Sequence, residues 1–320
     1  MFQKPDPKIS AKALGLLESR LHNASFQIEK GRRVRYRRLL AAADDLKACG
    51  LAVNEKYSLI PTLVVPGTSI PFEETREFLT WLMARGYPVA FIENPIGGLF
   101  DTRINPKLER PLVLEHFLDW IQDQGPEKVS RVIGIFHSYA AFDVIRLIAK
   151  KPLKYNRLMP VFFLNNPAGF NGEINIITHI LRWQFMHLGG GVIKQALSRF
   201  WSGAYPIPIG DVERGDYRKR ELRGLWAWWK DTLKNPIRGG FRELLDICQY
   251  RAENDMQTIK EAGYEVGMFK HNGDRILPIS GTLKYAQNLF SDKLVILDGG
   301  HCDLFLQIKN REAIAQAMYI

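Results

Sequence analysis

The segment VSRVIGIFHSYAAFDVIRLIAK, residues Val129–Lys150, constrains the fold of this chain more than any other stretch. It opens with a run of branched and aromatic apolar residues, which is typical of a strand buried on both faces of a parallel sheet. From Tyr139 onward the apolar residues recur at helical spacing, and the pattern ends at Lys150, where a cation suits the helix dipole. The sequence therefore predicts a strand, a sharp turn at Ser138 and a helix.

Ser138 occupies the apex of this predicted turn. A tight strand-to-helix turn would expose its hydroxyl above the sheet edge and aim the next backbone N–H, that of Tyr139, at a developing oxyanion. Serine also caps helices for purely structural reasons, so this segment alone leaves both interpretations open. Such turns favour small residues two positions before and after the serine, and these positions hold Phe136 and Ala140. Phe136 predicts either a slightly different turn or a side chain that enters a local gap.

Short apolar strands alternate with helical segments on both sides of the Ser138 segment. This alternation predicts an α/β fold in which helices cover both faces of a mostly parallel central sheet. In such sheets, ligands bind beyond the carboxyl ends of the strands. The other apolar strands are LIPTLVVPG, YPVAFIENP, LMPVFFLNNP, YEVGMF and KLVILDGG.

Residues 171–263 interrupt this alternation with helical segments, no convincing strand and five of the seven tryptophans. We interpret them as a helical cap or lid inserted between two parts of the sheet domain, residues 1–170 and 264–320. Tryptophan-rich helices are often core, but Trp226, Trp228 and Trp229 are too close in sequence to share one helix face. At least one of them is therefore expected to face an opening or a partner.

Composition excludes several classes of protein. The chain has 320 residues, 46% of them apolar, which is enough for a sizeable core. No apolar stretch reaches the ~18 residues of a membrane span, and the N-terminus shows no signal-peptide pattern. Cys49, Cys248 and Cys302 are odd in number and widely spaced, which argues against a disulfide framework and favours a soluble, cytoplasmic protein. Because phosphate loops and HExxH or CxxC motifs are missing from the sequence, we expect neither a metal nor a nucleotide cofactor.

Much of the net charge of +10 comes from GRRVRYRRLL, the second half of a predicted hairpin. Arg33, Arg35 and Arg37 alternate on one face of the predicted strand. Such a face could bind phosphates or anionic lipid, and the activity would then not involve Ser138. A solvated hairpin whose charges protect the sheet edge from pairing is the favoured interpretation.

Three residues suited to nucleophilic acyl transfer follow three different predicted strands: Ser138, Asp274 and His301. Parallel strands would bring them to one edge of the sheet. A histidine must accept the serine proton, and a carboxylate must hold that imidazole in one tautomer. Asp274 as a simple turn residue and His301 as a simple loop residue remain alternatives for each position taken singly.

With this order of Ser, Asp and His, the sequence resembles the α/β-hydrolase superfamily from Phe26 to Ile320. FHSYA resembles the nucleophile motif, NGDRILP the acid turn, and DGGHCDLF the histidine loop. VPGTS resembles the oxyanion loop. The resemblance implies that the backbone N–H groups of Tyr139 and Thr68 stabilise the oxyanion, with Ser69 as the competitor of Thr68.

The resemblance implies a serine hydrolase, and our leading hypothesis is an esterase or lipase-like enzyme that cleaves a hydrophobic acyl ester or an aromatic ester. A thioesterase or acyltransferase acting on an acyl thioester is the alternative enzyme. A ligand-binding protein of the same fold without catalysis is the other alternative. We expect a small hydrophobic ester or thioester as the partner and no nucleic acid, and we leave a homodimer open. The substrate pocket is predicted to include Trp183, Phe185, Met186, Trp226 and Trp229.

Overall fold

The computed structural model describes residues 6–28, 33–67, 72–93, 106–170, 240–274, 289–290, 293–299 and 308–319. Its helices are α1 (Pro7–Arg20), α2 (Ala43–Ala48), α3 (Phe72–Ala84), α4 (Pro106–Gln122), α5 (Ala140–Lys150), α6 (Gly240–Gln249), α7 (Glu253–Glu261) and α8 (Ile308–Tyr319). Its strands are β1 (His22–Gln27), β2 (Arg33–Ala41), β3 (Thr62–Val65), β4 (Val89–Glu93), β5 (Ile133–His137), β6 (Val161–Asn165), β7 (Glu265–His271) and β8 (Leu294–Leu297). Within these ranges, no helix combines the length and apolar character that crossing a bilayer requires.

In the described part of the chain, eight strands form one sheet in the order β1-β2-β4-β3-β5-β6-β7-β8. Every neighbouring pair from β4 to β8 is parallel, while β2 pairs antiparallel with both β1 and β4. Every residue of β3, β4 and β5 is buried, as continuous apolar strands require when both faces of a sheet are covered. The predicted α/β fold with a mostly parallel sheet is therefore confirmed.

The sheet separates two clusters of buried apolar side chains. Successive residues of one strand enter opposite clusters, as the period of two in a strand requires. Helices α4, α5 and α7 pack against one face, and helices α1, α3 and α8 pack against the other. Representative helix residues are Phe117, Ile145 and Ile259 on the first face and Leu17, Leu79 and Ile314 on the second.

The basic hairpin forms the outer edge of the sheet, where β1 has β2 as its neighbour. Arg33 and Arg35 are exposed. Arg37 instead forms an ion pair with the buried Glu93. The Arg38 guanidinium lies 4.0 Å from the ring centre of Trp120 in α4. The hairpin lies at the sheet edge as expected, but its arginines are on β2, which pairs with a strand on each side. Protection of the edge by these charges therefore stays a prediction, and binding of anions to the hairpin stays a hypothesis.

The predicted helical segment over residues 241–263 forms two helices, α6 and α7. Residues 250–252 separate the two helices, and Nη1 of Arg251 donates there to the carbonyl of Cys248 at 2.9 Å and to that of Tyr250 at 3.2 Å. These bonds satisfy carbonyls at the end of α6. The division into residues 1–170, 171–263 and 264–320 stays a prediction, because residues 171–239 lie outside the described residues.

Candidate active site

Ser138 stands in the turn between β5 and α5, which confirms the predicted strand, turn and helix. Its φ of +54° lies in the left-handed region, where a residue with a side chain is strained by about 1–3 kcal/mol. Backbone hydrogen bonds hold it there: its N–H donates to the carbonyl of Asn165 at 2.9 Å, and its carbonyl accepts from Ala141 at 3.2 Å. The side chain is partly exposed. The fold therefore presents a strained serine at the carboxyl end of a central strand.

The segment that follows β3 approaches this serine closely at Gly67. A Cβ atom added to Gly67 would lie 2.8 Å from Cβ of Ser138 and 3.1 Å from the carbonyl oxygen of His137. Only a glycine fits at such a distance. The residue directly before Thr68 in the chain therefore lies against the candidate nucleophile.

The variant Gly67→Ala is expected to slow covalent modification of Ser138 by a fluorophosphonate by about 100-fold, because shifts of about 1 Å in a reacting group have effects of that size. The added methyl group must displace either the Ser138 turn or the segment that ends β3. The rate of adduct formation, measured by intact mass on folded protein, checks this. The matched control is Gly15→Ala, where the added atom meets nothing within 4 Å. An unchanged rate in Gly67→Ala would show that the close approach does not control reactivity.

Phe136 fits beside the turn because Gly134 leaves a gap for its ring. A Cβ atom added to Gly134 would lie 2.4 Å from Cε2 of Phe136, and the buried ring packs edge-to-face on Phe162 at 5.9 Å between centroids. The second expectation for Phe136, a side chain in a local gap, is therefore confirmed. The phenylalanine does not prevent a strained turn at Ser138.

Buried amide and imidazole groups join the ends of β5, β6 and β7. Nδ2 of Asn165 donates to Nδ1 of His137 at 2.6 Å. Nδ2 of Asn166 donates to Nδ1 of His271 at 2.7 Å, and Oδ1 of Asn166 accepts from the backbone of His271 at 2.9 Å. Asn166 itself has a φ of +45°, a conformation that asparagine tolerates better than most residues. These bonds join the ends of β5, β6 and β7 at the sheet edge where Ser138 lies.

Asp274 follows β7 and is buried, with 4% of its surface exposed. Its Oδ2 accepts a hydrogen bond from Nζ of Lys270 at 2.9 Å, and both side chains are fully buried. Burial lowers the pKa of Lys270, while the negative charge of Asp274 opposes that change. Asp274 is thus a buried carboxylate paired with a cation.

The sequence pattern ends the predicted strand at Phe269 and does not identify Lys270, which the structure places inside β7. The available signal was a lysine that directly continues an apolar strand four residues before an aspartate. A buried charge requires a partner of opposite sign, and the nearest candidate in sequence was Asp274.

The turn before Asp274 packs against the turn that follows β8. The Gly273 N–H donates to the carbonyl of Gly299 at 2.9 Å, and the Asn272 N–H donates to that of Leu297 at 2.9 Å. The side chain of Asn272 also donates to Asp298 at 2.9 Å. Gly273, the residue before Asp274, is therefore hydrogen-bonded to Gly299, which precedes His301 by two residues.

Ser138, Tyr139 and Asp274 are the predicted site residues that the structure describes. The remaining predicted site residues stay predictions, because they lie outside the described residues. These are His301, the oxyanion candidates Thr68 and Ser69, and the pocket residues Trp183, Phe185, Met186, Trp226 and Trp229.

A buried ion pair joins α4 to α5 close to the Ser138 turn. Nε and Nη2 of Arg110 donate to the carboxylate of Asp143 at distances from 2.9 to 3.2 Å. The side chains are 0% and 1% exposed. The Arg110 guanidinium also lies 4.5 Å from the ring centre of Tyr139, the residue after the serine. The buried charge pair therefore contacts the residue that follows the candidate nucleophile.

No known family model matches this chain, and no curated protein matches it. Solved structures do match. A carboxylesterase of the thaumarchaeon Nitrososphaera gargenis shows 11% identity and a TM-score of 0.59 over 92% of this chain and 95% of its own. The thioesterase domain of the curacin biosynthetic pathway shows 11% identity and a TM-score of 0.53, with coverages of 94% and 99%.

A third similar structure is an α/β-hydrolase fold protein of Burkholderia ambifaria, 16% identical with a TM-score of 0.51 over 92% of this chain and 96% of its own. Identities this low concern the fold and leave the chemistry open. The strand order, the strained serine after β5 and these neighbours agree with one another. The chain has the α/β-hydrolase fold.

Proposed function

We propose that this protein is a serine hydrolase that cleaves carboxylic esters through an acyl-enzyme on Ser138. The observation that carries the proposal is the left-handed Ser138 between β5 and α5, with Gly67, two residues after β3, packed against it. A strained backbone conformation that several hydrogen bonds maintain is typical of functional sites. The buried carboxylate of Asp274, at the end of a strand two positions along the sheet, supports the proposal further.

In this proposal, the Ser138 oxygen attacks the acyl carbon while His301 accepts the serine proton as general base. The negative charge that develops on the carbonyl oxygen is stabilised by the backbone N–H groups of Tyr139 and Thr68. The C–O bond to the alcohol then breaks, and His301 returns the proton to the departing oxygen. Water, deprotonated by His301, attacks the acyl-enzyme and releases the acid. Asp274 orients the imidazole and stabilises its charged form.

A hydrophobic acyl ester or an aromatic ester is the proposed substrate class, because residues 171–239 are rich in aromatic and aliphatic residues. Among them, Trp183, Phe185, Met186, Trp226 and Trp229 are the proposed pocket residues. Hydrolysis or transfer of an acyl thioester is the second candidate. It uses the same serine, and a thioesterase domain shares the fold.

The test is covalent labelling with a fluorophosphonate, followed by intact-mass measurement and peptide mapping, on the wild type and on Ser138→Ala. We expect one adduct per chain on the wild type, mapped to Ser138, and none on the variant. Hydrolysis of matched esters and thioesters of increasing acyl length then separates the two enzyme candidates. If well-folded wild-type protein forms no adduct, the hydrolase proposal is wrong and a non-catalytic ligand-binding protein replaces it.

A further inference from the structure

The side chain of Tyr139, the residue after the candidate nucleophile, is fully buried and held by three groups. Its hydroxyl donates to Oδ2 of Asp246 at 2.5 Å. The guanidinium of Arg110 lies 4.5 Å from the ring centre, and Phe142 packs edge-on at 5.0 Å between centroids. A side chain held on several sides has one rotamer, so the backbone that carries it has little freedom.

Asp246 belongs to α6, and both of its carboxylate oxygens accept hydrogen bonds from residues of α5 or of the turn that precedes α5. Nη1 of Arg146 donates to Oδ2 at 2.5 Å, and Nη2 donates to Oδ1 at 2.6 Å. The same Oδ2 accepts the hydroxyl of Tyr139. Asp246 is 8% exposed, so these charge-assisted bonds are little weakened by solvent. One carboxylate therefore joins α6 to the residue that follows Ser138.

Aromatic rings fix the other end of this contact. The Arg146 guanidinium lies 4.1 Å from the ring centre of Tyr250 and 5.1 Å from that of Phe142. Tyr250 donates its own hydroxyl to another carboxylate, that of Asp255. The geometry of Arg146 is therefore set both by its bidentate bond and by the rings on which it stacks.

We propose that Asp246 is a positioning residue for the reaction of Ser138 and acts through the side chain of Tyr139. This inference rests on the proposed function. The peptide group between Ser138 and Tyr139 carries the N–H proposed to stabilise the oxyanion, and rotation about φ of Tyr139 moves that N–H relative to the side chain. With the hydroxyl tied to Asp246, φ stays at −63° and ψ at −27°, which keeps the N–H in place beside the serine.

The contact between α6 and Tyr139 also links the end of the proposed cap to the candidate site. Helix α6 begins at Gly240, directly after residues 171–239, the greater part of the proposed cap. Through the hydrogen bond between Asp246 and Tyr139, α6, the helix that follows that segment, is joined to the residue next to Ser138.

The test compares Tyr139→Phe with Tyr250→Phe, because each deletes one tyrosine hydroxyl that is bonded to a carboxylate near Arg146. Only Tyr139 is adjacent to Ser138. Fluorophosphonate labelling of Ser138 is followed by mass against time at a temperature where circular dichroism shows each protein folded. We expect Tyr139→Phe to label about 10-fold more slowly than the wild type, and Tyr250→Phe to stay within about twofold.

Asp246→Asn is the second variant and decides the question if Tyr139→Phe does not fold. It is expected to slow labelling to a similar extent, and to lower kcat on an ester substrate while KM changes less than about threefold, because the N–H acts in the transition state. Wild-type rates in Tyr139→Phe, or equal slowing in Tyr250→Phe, would overturn the positioning role and leave the hydrolase proposal intact. Failure of the wild type to label overturns both.

Discussion

Replacing Arg110 with methionine is expected to lower the free energy of unfolding by about 3–5 kcal/mol at pH 8, because it leaves the Asp143 carboxylate buried without its cation. Both side chains are almost completely buried, and three hydrogen-bond contacts join them. Removing one partner of such a pair is far more harmful than removing both. Urea unfolding of the wild type and of Arg110→Met at pH 8 measures the difference.

The same variant should become less stable, relative to the wild type, as the pH rises from 5 to 8. Burial raises the pKa of Asp143 to about 6, while Arg110 and Arg146 oppose this change and Asp246 adds to it. Without Arg110, that pKa rises further above its unfolded value. A carboxyl whose pKa is raised on folding contributes stability at low pH that is lost as the pH passes through the folded-state value. The cost of the substitution is therefore smallest at pH 5.

The matched control for Arg110→Met is the double variant Arg110→Met/Asp143→Leu, which removes both charges. Replacing a whole buried ion pair with apolar residues is often neutral or stabilising. We expect the double variant to recover most of the lost stability and to lose the dependence on pH. Equal instability of the single and double variants, at both pH values, would contradict this account of the pair.

The second large effect is expected at Gly134, where alanine should lower the free energy of unfolding by about 1–3 kcal/mol through overpacking. The added Cβ would lie 2.4 Å from Cε2 of Phe136 and 3.0 Å from Sδ of Met159. Since Phe136 is two residues before Ser138, its displacement should also slow fluorophosphonate labelling. Thermal unfolding and labelling rate, measured on the same preparation, check the two effects.

Two further variants make this prediction specific. Gly15→Ala lies inside α1 with nothing within 4 Å of the added atom, so it should stabilise the protein by about 0.5–1 kcal/mol instead. Phe136→Leu combined with Gly134→Ala should cost less than the sum of the single changes, because the smaller side chain leaves space for the methyl group. Strict additivity of the two changes would show that the clash is not with Phe136.

Most of the fold could be predicted from local sequence patterns. Continuous apolar runs indicate strands buried on both faces, and a glycine that closes a helical run is a common helix-stop signal. Gly50 and Gly86 have positive φ values, 67° and 84°, and lie two residues after the last residues of α2 and α3. These features depend on residues close in sequence, which is why periodicity and helix-stop signals could predict them.

The contacts around the candidate site were harder to predict because they join distant parts of the chain. Tyr139 and Asp246 are 107 residues apart, and the sequence pattern around Asp246 indicates only a helix in the predicted cap. Likewise, the sequence placed a phenylalanine at position 136 without showing that Gly134 and Phe162 shape a space for it. Charge pairing and cavity shape leave no periodic signal, so they became visible only in the folded arrangement.

The strand order has a consequence for synthesis on the ribosome. Six of the eight described strands precede residue 170, and β6, with the sequence VFFLN, is the outer member of that group until β7 arrives. Since β7 begins about 100 residues after β6 ends, translation leaves this edge open for about 5–20 s. An apolar edge strand without its neighbour readily pairs with another chain. The nascent protein is therefore exposed to aggregation through this edge during the interval in which the residues between β6 and β7 are made.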